Sequence, residues 1–475
     1  MISKLKFFER FFLIFILIFA FIFNLICSYR CLHENDMGII LNGGYRIFCG
    51  QKPYIDFFFP TGVVPFYIQS VFFQLFGLSL NSFFLHSSVL NALASFFIFA
   101  ISARFSGIFN GFLCAILGAV SFASLISFPF YETNAYFFLL CAFYFLLQNR
   151  NNKNYHFIAG IFVGLSFFSK QNIGAIGFLL FILFIPLKKN FVKYLSGFIA
   201  IFLFFSIYYL SIGAFNGFIE NFIINPLLMN REKLLLKKLD TTFSLIIIGF
   251  MCIIYAIAEK KQKKYIIVFM LLTLFFYYTN NNIWFNNLSF ISIIFVFLPF
   301  YIFKKQKKIF CFLIFLILFS IFFYISFNRL SHNHIYQSKN FNIKIKGIQK
   351  FNNLIVSNEQ YEDIIRLYNF LIAENSSDKF IILGYKTYFY YLLDTMPKTE
   401  LLWFHYKVTY NSNNAYYYET KIIKEIKLKK IKYVIFSNDD GADELAHNMK
   451  KLIKFINDSC VANFMVANNN VYQLY

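Results

Sequence analysis

Apolar and polar positions fall in long blocks over the first two thirds of the chain. Runs near 11–28, 82–103, 107–127, 131–148, 155–169, 172–187, 194–214, 241–258, 265–280, 284–303 and 309–328 carry almost no charge. Each approaches the ~20 apolar residues that an α-helix needs to cross a hydrocarbon core. The pattern predicts an α-helical polytopic membrane protein with about 11 transmembrane helices. The first run closes with the bulky Ile26, Cys27 and, just beyond it, Tyr29 rather than with a small-residue cleavage site, so it is read as a retained anchor.

Lys and Arg resist translocation and therefore mark the cytoplasmic loops. Lys4, Lys6 and Arg10 place the N-terminus inside, and Arg104, Arg150, Lys153, Lys188, Lys189, Lys193, Lys260 to Lys264 and Lys304 to Lys308 recur in every second loop. An odd number of spans then leaves the C-terminus outside. Between the first two runs, residues 29–81 form an external loop that is polar at first and then apolar but punctuated by Pro60, Gly62 and Pro65. Its second half is expected to lie along the interface. Ile39, Ile40, Tyr45 and Ile47 fit a short amphipathic helix after Asp36, ended by Gly50 and Pro53.

From residue 329 the apolar runs stop, and 14 acids and 19 bases appear among Asn, Ser and Tyr. Residues 329–354 read as a linker. Helices are expected over 358–374, around 386–394, near 417–430 and over 442–456, with strands at 379–384, 401–404 and 432–437. A closing hairpin over 460–474 turns at Asn468-Asn469-Asn470. The chain thus divides into a membrane part, 1–328, and a soluble extracytoplasmic α/β domain, 329–475, long enough for a core of its own.

Composition agrees with a membrane protein: of 475 residues, 59% are hydrophobic and only 14% charged, with mean hydropathy +0.59. A soluble globular domain has about a quarter charged. The 73 Phe and 32 Tyr are what an AT-rich genome writes at permissive positions and name no ligand. The net charge of +21 sits in loop clusters beside apolar runs and accompanies no nucleic-acid-binding motif, so the partners are membrane lipids and not nucleic acid. The eight Cys show no CxxC; Cys31 and Cys49, both external, either pair or stay free. His332 and His334 are too few for a structural zinc site, and Asp439-Asp440-Gly441 is either a polar turn or a metal loop. No phosphate-cradling glycine loop opens a helix.

Of nine acids in the membrane part, Glu34, Asp36, Asp56, Glu132, Glu220, Glu232 and Asp240 fall on the outer side, which reads either as an active outer face or as the length of the outer loops. Asp36, Gly38, Arg46, Ile47, Gly50, Pro53, Tyr54, Asp56, Phe57, Pro60, Gly62, Tyr67, Phe76 and Gly77 together resemble the first periplasmic loop of the bacterial GT-C glycosyltransferases related to protein O-mannosyltransferases and aminoarabinose transferases. Ser169-Lys170-Gln171-Asn172-Ile173-Gly174 resembles the Lys-containing external turn of the same superfamily. Where relatives carry Asp-Glu, this chain has Asp36-Met37 with Glu34 two residues earlier. The carboxylate that assists Asp36, and a divalent metal beside it, therefore stay open.

The resemblance implies sugar transfer from a polyprenyl-phosphate carrier to a lipid, glycan or protein acceptor at the outer face of a cytoplasmic membrane. It makes Asp36 the general base and Lys170 the cation beside the departing phosphate, with inversion at the sugar carbon. Glu132 either completes the site with Asp36 or sits at the water boundary. Arg231 and Lys233 either hold the carrier phosphate or lie on a solvated basic helix after Pro226. The blander alternatives are an N-cap role for Asp36, a snorkelling Lys170, a solvated His33, and a turn or ion-pair role with Arg46 for Asp56. The external domain is implied to bind acceptor or act as a lid. A lipid or solute transporter would show paired halves or broken polar helices, and an O-antigen polymerase or ligase would place its key residues in a late loop; neither pattern is present.

Overall fold

The structure is a computed structural model. It describes residues 7–30, 32, 34–125, 127–148, 154–183, 185, 188–227, 315–316, 319–320, 323–324, 341–374, 379–404, 409–410, 414–437, 445 and 447–474. In chain order the helices are α1 (Phe7–Ser28), α2 (Glu34–Phe48), α3 (Val64–Phe76), α4 (Leu80–Ser106), α5 (Ile108–Leu125), α6 (Tyr131–Leu146), α7 (Asn154–Phe167), α8 (Gln171–Ile182), α9 (Lys188–Ser211) and α10 (Phe215–Phe218), which continues into a π-helical turn, Ile219–Ile224. The strands β1 (Phe341–Lys344) and β2 (Ile355–Ser357) follow, then α11 (Asn358–Ala373), β3 (Phe380–Leu383), α12 (Tyr388–Leu392), α13 (Ala415–Leu428), β4 (Tyr433–Ser437), α14 (Lys450–Ser459), β5 (Cys460–Val466) and β6 (Asn469–Leu474). These elements form two compact units: one from Met1–Ser28, Phe84–Ile207 and Lys237–Gln337, the other from Tyr29–Phe83, Tyr208–Leu236 and Ser338–Tyr475.

The first unit is helical. α1 and α4 to α9 stand where the first seven apolar runs predict spans. Three segments, Arg10–Ser28, Leu80–Phe105 and Asn190–Ser211, are long and apolar enough to cross a membrane. The remaining four runs lie outside the described residues, save a few helical positions between 315 and 324. Polar side chains buried among apolar helices need partners, and the amide N–H groups of two asparagines find them across the bundle of α1, α4 and α5. Asn24 Nδ2 donates to Ser87 Oγ at 2.9 Å and to the Ser127 carbonyl at 3.2 Å, and Asn91 Nδ2 donates to the carbonyls of Ala20 (3.1 Å) and Ala119 (3.0 Å). α7 and α9 meet through glycine on both sides. A Cβ on Gly160 would lie 2.0 Å from the Tyr194 carbonyl oxygen, and one on Gly197 2.1 Å from that of Phe157. Only glycine allows that approach.

In the second unit α2 packs on α3, and the C-terminal strands form a mixed sheet in the order β3-β4-β6-β5. β3 and β4 are parallel, which requires the long connection they have through α12 and α13, while β4–β6 and β5–β6 are antiparallel. Ile381, Leu383, Val434, Phe436, Ile422 and Ile426 form part of the core beneath the sheet.

Three expectations are corrected. Residues 341–357, read within and beside a linker, hold the antiparallel pair β1–β2, whose Ile355 N–H donates to the Tyr29 carbonyl at 2.8 Å. Residues 401–404 form no strand of the sheet; Leu401 bridges to Phe58, and the Phe58 N–H donates to the Glu400 carbonyl at 2.8 Å. The closing hairpin turns earlier, at Ala467 (φ 52°) and Asn468, because Asn469 pairs with Val466 and Ser437.

Candidate active site

α2 begins at Glu34, two residues before the expected start, so Asp36 stands inside its first turn rather than ahead of it. A negative side chain is favoured there by the helix dipole. Asp36 is half-buried and Glu34 buried. Glu34 is engaged from α11: Gln360 Nε2 donates to Glu34 Oε1 at 3.4 Å and to the Leu32 carbonyl at 3.0 Å. Gln360 is itself placed by a capping box, its backbone N–H donating to Ser357 Oγ at 3.2 Å and its side-chain oxygen accepting from the Ser357 N–H at 3.5 Å. Residues two apart on a helix point to different faces. Glu34 and Asp36 therefore share a turn without forming a side-by-side carboxylate pair.

The segment that carries most of the family resemblance is structural in its packing. Arg46 is fully buried; its Nη2 donates to the Thr399 carbonyl at 2.9 Å and its Nε to Asn42 Oδ1 at 3.3 Å, and the guanidinium lies 5.3 Å from the Phe57 ring centre. Burial lowers the Arg46 guanidinium to about 9, against the raising influence of Tyr390, Asp56 and Glu400. Asp56 takes the turn role, accepting from the Lys52 N–H at 2.7 Å. Tyr54 packs edge-on against Tyr209 and Phe218, with ring centres 5.0 and 5.6 Å away.

Glu132 and Lys170, 38 residues apart, come together in the helical unit. Glu132 lies in the first turn of α6, and Lys170 caps the N-terminus of α8. Lys170 Nζ forms an ion pair with Glu132 Oε1, with side-chain exposures of 13% and 3%, and lies 5.0 Å from the Tyr131 ring centre. The α7–α8 turn holds the Lys170 backbone: its N–H donates to the Ser166 carbonyl at 2.8 Å, and its carbonyl accepts from the Gly174 N–H at 3.0 Å. Position 174 admits only glycine, since a Cβ would lie 2.2 Å from the backbone of Phe167. Ser166 Oγ in turn donates to the Ala135 carbonyl at 3.0 Å, tying α7 to α6 just below the pair. The arrangement keeps one cation and one carboxylate in largely dry surroundings.

Arg231, Lys233, His33, Asp439 and Asp440 lie outside the described residues. Cys49 carries a free thiol, and Cys31 is outside the described residues. Among the described residues no group of three or more His, Cys, Asp or Glu side chains could hold a metal ion. The donor set for a divalent metal is therefore not assembled by the described residues. Sequence reasoning missed Gln360 and Thr399, whose contacts with Glu34 and Arg46 span more than 300 positions and leave no local signal. It also missed Tyr131, next in sequence to Glu132.

Residues 60–209 match the family described as dolichyl-phosphate-mannose-protein mannosyltransferase. The fold is similar to that of ArnT from Cupriavidus metallidurans in the apo state, at 11% identity and TM-score 0.50 over 97% of both chains. The same protein bound to undecaprenyl phosphate gives 10% identity and TM-score 0.47 over 97% of both chains. The Archaeoglobus fulgidus oligosaccharyltransferase in complex with zinc and sulfate gives 12% and 0.48, over 89% of this chain and 68% of that one. No curated protein matches the chain in sequence. The family match and the apo ArnT fold bear out the resemblance to GT-C membrane glycosyltransferases.

Proposed function

We propose that this chain is a membrane glycosyltransferase that moves a sugar from a polyprenyl-phosphate carrier to an acceptor hydroxyl at the outer face of the cytoplasmic membrane. The observation that carries the reading is the match of residues 60–209 to a family described by a dolichyl-phosphate-mannose donor, because that segment contains the buried Glu132–Lys170 pair. That description supports the carrier class and leaves the sugar open.

In this reading the acceptor oxygen attacks the anomeric carbon as the bond from that carbon to the phosphate oxygen breaks. The hydroxyl proton passes to Asp36, acting as general base. The phosphodiester leaves as a monoester, gaining negative charge, and Lys170 stabilises that charge more in the transition state than in the ground state. A single displacement inverts the sugar carbon. Glu34, fixed by Gln360, positions the helix start that carries Asp36. Arg231 and Lys233 are assigned to the carrier phosphate on their sequence position alone. Residues 1–328 would then form the catalytic membrane part, and 329–475 an extracytoplasmic part that contributes to acceptor binding.

The test compares wild type with Asp36→Asn by mass spectrometry of carrier-linked sugars and outer-surface glycans. Carrier-linked sugar should accumulate in the variant while the glycan disappears. Equal product from both proteins removes Asp36 from the mechanism.

A further inference from the structure

Glu132 offers Lys170 one carboxylate oxygen and leaves the other, Oε2, buried with no hydrogen-bond partner among the described residues. A carboxylate buried with an unpaired oxygen is a poorly solvated anion. Its attraction to the ammonium offsets that cost only in part, because good geometry must be joined by further hydrogen bonds before a buried ion pair breaks even. The lysine side of the pair is more firmly built: the Lys170 backbone is bonded at both its N–H and its carbonyl, and Gly174 fixes the turn against Phe167. A rigidly placed cation therefore faces an anion that is only half satisfied. A phosphate group, with more acceptor oxygens and greater charge, is a better match for an ammonium than this carboxylate.

We propose that Glu132 is a resident counter-ion, occupying Lys170 until the phosphate of the lipid carrier displaces it, and returning when the carrier phosphate departs. The inference rests on the reading of Lys170 as a phosphate-binding cation and gives Glu132 a task distinct from catalysis. The exchange breaks no covalent bond: one anion leaves the ammonium and another takes its place. Glu132 keeps the lysine compensated while the donor is absent, and it competes with the phosphate when the donor is present. The competition weakens the hold on the spent carrier and so speeds its release.

Binding of undecaprenyl phosphate is measured on the full chain in detergent, for wild type, Glu132→Gln, Glu132→Asp and Lys170→Met, with folding checked by gel filtration and thermal unfolding. Glu132→Gln removes the competing charge while keeping the shape and should tighten binding by about tenfold. Glu132→Asp, with a carboxylate drawn back by one methylene, should tighten it less and serves alone if the glutamine variant does not fold. Lys170→Met should abolish binding. Unchanged or weaker binding in the Glu132 variants, with binding lost in Lys170→Met, overturns the counter-ion role and leaves the reading of Lys170 standing. Wild-type binding by Lys170→Met overturns that reading itself.

Discussion

The turn before α8 and the last turn of α2 both carry a cation recognisable from the same superfamily resemblance, yet the two cations have opposite surroundings. Arg46 is walled in by a backbone carbonyl, an amide side chain and an aromatic ring. Lys170 faces a carboxylate with one oxygen unpaired among the described residues, and its own side chain keeps 13% exposure. Around Arg46 the longer stretch of resemblance thus holds chain segments together, whereas the shorter one sets a lysine against a carboxylate, the charge for which a phosphate competes in the proposed mechanism. Specificity of a sequence pattern measures how tightly a shape is determined, and shape is demanded at least as strongly by packing as by chemistry.

The contrast can be broken or sharpened by substitution. The largest effect is expected at Asp36: Asp36→Asn should lower transfer by about 10²–10⁴-fold, the usual worth of a general base, with thermal unfolding unchanged. A matching fall in stability would place Asp36 with Arg46 among the structural residues. Next, Arg46→Met should cost about 3 kcal/mol of stability, because it strips the Thr399 carbonyl and Asn42 of a charged donor in a buried site. Denaturant or thermal unfolding in detergent reads this, and a variant of normal stability with lost turnover would reverse the contrast. Gly174→Ala should cost about 1–3 kcal/mol by forcing the turn away from Phe167; unfolding midpoint and undecaprenyl phosphate binding should fall together, since the turn sets the Lys170 backbone. The smallest effect is Ser357→Ala, about 1 kcal/mol, from loss of the cap that accepts from Gln360. It should leave carrier binding untouched, as measured on the same preparation.

Most helices were legible in the sequence because hydropathy is a local property summed over twenty residues, and a burial pattern so long tolerates local error. The amphipathic helix 358–374 and the strands in KFIILG and KYVIFS were legible for a related reason, since periodicity and capping residues lie within the element itself; they appear as α11, β3 and β4. What failed was non-local. β1 is only four residues, FNIK, and owes its strand conformation to the partner β2. Leu401–Phe404 looks like a strand by composition, but its neighbour is Phe58, more than 300 residues away, and that contact supports a single bridge. The site shows the same division. Glu132 and Lys170 stand out as charges in apolar surroundings, and Asp36 as an early acid that matches the superfamily pattern, whereas the pairing of Glu132 with Lys170, and the choice of Thr399 rather than Asp56 as a partner of Arg46, depend on tertiary approach.

The crossing of α7 with α9 has no side chain between its two backbones at Gly160 and Gly197. Nothing there can rotate aside to admit an acyl tail or a detergent molecule, so the junction behaves as a rivet in an otherwise oily assembly. Solubilisation should loosen the phenylalanine-rich contacts well before it parts these two helices.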